Sequence, residues 1–236
     1  MASTTDKIWI TGASSGIGKS TALIFANSGY SVYATARRGE KLSKLSDEIK
    51  DGSLINQASL DICLKEDVFS FVEKNFIRNG INCLINNAGV TSFRRAEHTS
   101  VEDIQKIIET NLLGAIFAIK AVLPLMIKQN NGTIINILSV VTEKIFTQSS
   151  AYSASKAGLK AFAQVLREEV RKYNIRVINV YPAATNTDIW SDDVRLKHAD
   201  HMMKSADVAE AILSIYKQAG NIVTEEIVFR PIGGDL

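Results

Sequence analysis

The amino-acid sequence predicts an α/β protein: a single doubly wound parallel sheet of about seven strands, with helices on both faces. Three observations carry this expectation. Short β-rich runs alternate with longer helical patterns, several of those runs are almost continuously apolar, and no repeat, low-complexity tract or linker divides the 236 residues. The runs at 7–11, 31–36, 53–60, 82–85, 133–138, 175–180 and 225–229 read as strands. "TIINIL" (133–138) shows the pattern: a strand covered on both sides has no reason to alternate polar and apolar residues. Helical spacing fills 16–27, 41–50, 64–78, 101–128, 151–173 and 206–218. Such units close as right-handed crossovers, and one domain is expected over 1–236.

Bulk composition excludes several functions. A net charge of +2 offers no electrostatic footprint for nucleic acid, and the pairs Arg37-Arg38 and Arg94-Arg95 are too small to change that. Cys63 and Cys83 sit in apolar segments and read as small buried hydrophobes of a reducing compartment. His198 and His201 lack ligand neighbours at metal-binding spacing and read as surface loop residues, so no metal is expected. The opening "MASTTDKIWITG" has no apolar core or cleavage site, and the apolar stretch 112–127 is interrupted by Lys120 and Pro124. A cytoplasmic protein with no membrane attachment is the expectation.

In a sheet of this class, ligands bind outside the carboxyl ends of the strands, so the turns there carry the information. The first strand runs into "TGASSGIG" (11–18) and then a helix. Gly12 permits a tight turn, Gly16 lets backbone approach a pyrophosphate, and Gly18 permits close packing of helix on strand. Free N–H groups at the helix start favour phosphate. The second strand ends "YATARR", with Ala36 where an NAD site usually places a carboxylate, followed by Arg37 and Arg38. A guanidinium matches a ribose 2′-phosphate in charge and fork geometry. NADP(H) is therefore expected rather than NAD(H).

"YSASK" places Tyr152 and Lys156 on one face of a helix, a pairing that chance also supplies, so its weight depends on its company. That company is "TGASSGIG", "NNAG" (86–89), "NLLG" (111–114) and Ser139, in this order. Together they resemble the short-chain dehydrogenase/reductase family, with its Rossmann-type fold, from the first strand to the last. The resemblance implies a catalytic tetrad of Asn111, Ser139, Tyr152 and Lys156. Tyr152 would be the acid/base, Ser139 would orient the substrate carbonyl, and Asn111 would hold a helix distortion and a relay water. Lys156 would bind the nicotinamide ribose and favour phenolate, since an unaided phenol titrates near 10.

The resemblance also implies a cofactor site of Gly12, Ser14, Ser15, Gly16, Ile17, Gly18, Arg37, Arg38, Asn87, Ala88, Gly89, Tyr152, Lys156, Pro182, Thr185 and Thr187. Asp61 would contact adenine or simply cap the next helix. Asn86, Ala88 and Gly89 would pass beside the adenine ribose and steady the central sheet. One departure stands out in "PAATNT" (182–187), where Ala183 replaces the usual glycine; its Cβ is expected to shift that loop.

Residues 186–204 are the expected substrate lid. Trp190 within them reads equally as a wall facing the substrate and as an anchor closing the loop. Phe93, Arg94 and Arg95 border the same region, where arginines would suit an acidic substrate but an exposed loop pair is the simpler reading. Apolar surface nearly all round 112–127 and along the helix after Tyr152 exceeds what one sheet face needs, and implies a homodimer or homotetramer. The expected activity is interconversion of a carbonyl (a ketone or aldehyde, or a 3-oxoacyl thioester or 3-oxo acid) and an alcohol. The competing function is a non-catalytic NADPH sensor or scaffold on the same fold.

Overall fold

A computed structural model describes residues 5–50, 53–218 and 221–235; the reading of the first four residues lies outside them. Nine strands and eight α-helices alternate along these residues. The first half comprises β1 (Lys7–Thr11), α1 (Gly16–Asn27), β2 (Ser31–Ala36), α2 (Gly39–Ser43), β3 (Ile55–Ser59), α3 (Lys65–Phe76), β4 (Cys83–Asn86) and α4 (Val101–Ile108). There follow α5 (Ala115–Gln129), β5 (Gly132–Ile137), α6 (Ser150–Val170), β6 (Ile175–Pro182), β7 (Thr185–Asn186), α7 (Asp192–His198), β8 (Met203–Lys204), α8 (Ser205–Tyr216) and β9 (Glu226–Phe229).

Seven strands form one sheet in the order β3-β2-β1-β4-β5-β6-β9, and every neighbouring pair is parallel. Successive side chains of the inner strands enter opposite layers. Ile8 and Ile10 pack with α1, α2 and α8, whereas Trp9 between them packs with α3, α5 and α6. Ile134 and Ile135 divide in the same way. Both layers being dry explains the unbroken apolar runs in the sequence.

One polar line crosses this core. The Asn86 amide donates to Asn136 Oδ1 at 3.0 Å, and the Asn136 amide donates to Asn179 Oδ1 at 3.1 Å. The three residues are register partners on β4, β5 and β6, so the ladder pins these three strands to one another.

Two expected helices differ from the sequence reading. Residues 41–50 form only the short α2 and a 3₁₀ turn (Lys44–Asp47), because the buried pair Leu42 and Leu45 lies at the three-residue repeat of a 3₁₀ helix. The helix expected over 101–128 is interrupted by a π-helical segment, Glu109–Gly114. There the chain approaches the segment after β3 so closely that a Cβ on Gly114 would lie 2.7 Å from Ile62 Cγ2. The run Val101–Gln129 is long and apolar enough to cross a membrane, but half of its most apolar stretch is buried in the protein.

Candidate active site

Strand order reverses between β1 and β4, and a cavity of about 1100 Å³ opens at the carboxyl ends of these strands. The glycine turn forms its floor. Gly12 has φ +68° and Gly16 φ +56°, conformations that strain any side chain. A Cβ on Gly12 would also lie 2.7 Å from Ala88 Cα, and one on Gly16 would lie 2.9 Å from Thr187 Cγ2.

Asn87 braces this turn rather than only bordering it. Its side-chain amide donates to the Thr11 and Gly12 carbonyls at 3.1 and 3.0 Å, while its backbone N–H donates to Thr11 Oγ1 at 3.1 Å. Ser14, Ser15 and Ile17 line the cavity from the turn and Ala88 and Gly89 from the chain after β4; Pro182, Thr185 and Thr187 do so from β6 and β7. Arg37 and Arg38 close one end, and the Arg38 guanidinium donates to the hydroxyls of Ser14 at 3.3 Å and Ser15 at 3.4 Å. A floor with glycines where a Cβ would clash, a helix start and an arginine pair fit a dinucleotide with an extra phosphate.

At the other end, Ser139, Tyr152 and Lys156 face the same cavity. Ser139 follows β5 directly, and the other two lie one turn apart near the start of α6. The Lys156 ammonium donates to the Ile137 carbonyl at 2.7 Å and stands 5.8 Å from the Tyr152 ring centre. Burial pushes the Tyr152 phenol up to about 12, with the Ser139 hydroxyl pulling the other way. Burial likewise pushes Lys156 down to about 8. In both groups burial is the first cause of the shift and favours the neutral form.

Three expected site residues lie outside the lining. Gly18 sits behind the turn against Asn87. Asp61 accepts the Cys63 N–H at 3.0 Å, a local turn, while Leu60 and Ile62 on either side line the cavity. Asn111 is fully buried in the π segment. It donates to the Val90 carbonyl at 2.9 Å and to Ser155 Oγ at 3.0 Å, and accepts the Val90 N–H at 2.8 Å. Both amide hydrogens are thereby used within the chain, leaving only one Oδ1 lone pair for anything else. The expected helix distortion is present at this residue.

The expected lid is an excursion closed at its base, since β7 and β8 pair through Thr185↔Met203 and Asn186↔Lys204. Trp190 serves as both wall and anchor: it lines the cavity, and its indole N–H donates to the Thr185 carbonyl at 3.1 Å. Its ring stacks on Phe93, and Phe93 in turn meets Tyr152 edge to face at 6.5 Å. Ala183 does not have a positive φ, so its Cβ is not strained there, and its methyl joins a small cluster with Leu138 and Tyr181. Arg94 and Arg95 turn away to Asp103 and Glu97. His198, expected on the surface, lines the cavity because α7 carries it inward.

Sequence reading missed Val141, Phe146, Gln148 and Asp235, all of which line the cavity. They belong to none of the motifs, and Asp235 is remote in sequence from every other part of the site. One Asp235 oxygen pairs with Lys144 and Arg230, while Oδ1 is buried with no hydrogen-bond partner among the described residues.

The fold and this constellation define a dinucleotide-dependent oxidoreductase, and the comparisons agree. The family profile described as short chain dehydrogenase matches residues 6–197. The chain belongs to the short-chain dehydrogenase family. A sepiapterin reductase from Chlorobaculum tepidum is 34% identical over 239 residues, covering 96% of each chain. An alcohol dehydrogenase from Thermococcus sibiricus, solved with 5-hydroxy-NADP, superimposes with a TM-score of 0.87 at 26% identity, covering 97% of each chain. The closed form of a serine dehydrogenase complexed with NADP+ gives a TM-score of 0.90 at 26% identity, covering 98% of this chain and 96% of that one.

Proposed function

We propose that the protein is an NADP(H)-dependent carbonyl reductase whose substrate carries an uncharged carbonyl on a planar aromatic or heteroaromatic group. The observation that carries this reading is the buried Tyr152 phenol where the cleft meets the Phe93–Trp190 wall. A phenol held at about 12 is protonated at every physiological pH, as the acid of a reduction must be.

When bound, the reduced nicotinamide supplies hydride to the carbonyl carbon. Tyr152 gives its proton to the carbonyl oxygen, and the Ser139 hydroxyl steadies the charge developing there. Lys156, anchored on the Ile137 carbonyl, supplies the cation that offsets phenolate once the proton has left. Asn111 acts as a positioning residue, tying the loop after β4 to α6 through Val90 and Ser155. Arg37 and Arg38 select the phosphorylated dinucleotide, a reading supported by the NADP-type ligands named in both solved relatives.

The substrate class follows from the walls. Phe93, Val141, Phe146, Ile189 and Trp190 are apolar, and the ionisable groups there beyond Lys156 are the carboxylates of Asp188 and Asp235 and the imidazole of His198. With Arg94 and Arg95 turned away, nothing favours an acidic substrate. Asp235 Oδ1 is an acceptor suited to a ring N–H, and the relative named as a sepiapterin reductase supports a heteroaromatic carbonyl. The deciding experiment is NADPH oxidation followed at 340 nm against matched aryl ketones, heteroaryl ketones, 3-oxo acids and 3-oxoacyl thioesters. Turnover of the first two classes is expected. NADPH binding without turnover of any class would favour the sensor reading instead.

A further inference from the structure

The lid is fastened to the body of the protein at two places of opposite chemistry. On the substrate side the Trp190 ring lies on Phe93, centroids 4.7 Å apart and planes 11° apart. On the cofactor side Asp188, two residues earlier, meets the Lys41 ammonium at 3.7 Å. Lys41 belongs to α2, which begins directly after the Arg37-Arg38 pair, so this contact joins the two walls of the cleft at its arginine end.

Asp188 is no loose surface carboxylate. Arg195, from α7, donates to its other oxygen at 3.2 Å and to Asn186 Oδ1 at 3.2 Å. Arg195 therefore makes α7 and the residues after β7 one unit, and Lys41 ties that unit to α2. Just before Asp188, Thr187 rests on Gly16 of the phosphate-facing turn. The Lys41–Asp188 contact therefore lies next to the glycine turn, at the arginine end of the cleft.

We infer that Lys41, Asp188 and Arg195 form an ionic clasp that controls the exchange of the dinucleotide, separately from the aromatic contact that closes the substrate end. This rests on the reading of the cleft as a dinucleotide site. Both partners of the Lys41–Asp188 pair are half exposed, so the clasp is weak and sensitive to salt. The stacked rings carry no charge and lack that sensitivity. Ionic strength therefore acts on cofactor exchange while leaving closure over the substrate in place.

Stopped-flow fluorescence of NADPH release tests this on the full chain without turnover. Lys41→Ala and Asp188→Asn should each speed release about two- to fivefold at low salt, the range open to an exposed pair. The double variant should be no faster than either single one, and the single variants should lose part of the wild-type response to salt. Lys65→Ala, which removes an unrelated exposed pair with Glu66 on α3, should change nothing. Release rates equal to wild type, or single effects that multiply in the double variant, would overturn the clasp. A wild-type protein that binds no NADPH would overturn the dinucleotide reading itself, and the clasp with it.

Discussion

The Phe93 ring lies flat on the indole of Trp190 and edge-on to the phenol of Tyr152, so one aromatic side chain joins the 186–204 segment to that phenol. On the proposed function, the stack borders the place of the substrate carbonyl. Truncation of Trp190 should therefore lower kcat/KM for a planar aryl ketone and leave a small aliphatic ketone nearly unaffected.

For Trp190→Ala the expected loss with the aryl substrate is about three- to tenfold, corresponding to the ~0.5–1.5 kcal/mol that an aromatic pair contributes beyond area. Steady-state kinetics with the two ketones checks it. Equal losses for both would mean that the ring only anchors the lid.

Tyr152→Phe removes the proton and leaves the ring. Reduction should slow by about 10²–10⁴-fold while NADPH fluorescence titration gives an affinity near that of wild type. Retained turnover would assign the proton to another group.

Arg37→Ala and Arg38→Ala should each weaken NADPH binding by about tenfold or more, in the range of a hydrogen bond to a charged group, and leave NADH binding little changed. Arg38 should matter more, because Ser14 and Ser15 already hold its guanidinium over the glycine turn. An unchanged NADPH:NADH ratio in both variants would contradict the assignment of the 2′-phosphate.

Burial holds Lys156 at about 8, against an ordinary value of 10.5. Between these values the folded chain binds fewer protons than the unfolded chain, so stability rises with pH across that window and is lost as pH falls through 8. Tyr152, raised from 10.0 to about 12, has the opposite sign and lowers stability between those two values. Lys156→Met should abolish the first rise, worth about 3 kcal/mol over the whole window. Urea unfolding at pH 7.5 and 9.5 reads the difference, and an undiminished rise in the variant would show that another group causes it.

We propose that the protein self-associates through α4, α5 and α6. Val101 on α4 and Val165 on α6 are 65% and 62% exposed, and Ile104 on α4 and Leu113 in the π segment leading into α5 add to the uncovered apolar surface. Light scattering at micromolar concentration should give a dimer or tetramer; a monomer would contradict the reading.

Much of this was legible in the sequence because the signals were local. The glycine turn and the Tyr152–Lys156 spacing each fit within one turn of chain, and dry strands such as β5 announce themselves by lacking polar alternation. What escaped depends on distance or on energy balance. Asp235 reaches the cavity through the path of the C-terminal segment, and His198 through the direction of α7, neither of which a short window records. The shift of Tyr152 comes first from how completely the fold buries it, which the spacing to Lys156 does not record. The π segment at Asn111 follows from a close approach to Ile62, a contact between parts of the chain far apart in sequence.

The two-residue pairing of β7 with β8 has an engineering reading. Because Thr185↔Met203 and Asn186↔Lys204 seal the base of the excursion, the intervening residues form a cassette with fixed attachment points. The residues beyond Thr187 can change in length or composition without moving the glycine turn, which Thr187 itself contacts at Gly16. Exchanging the cassette alone is then expected to change what the cavity accepts while leaving the glycine turn intact.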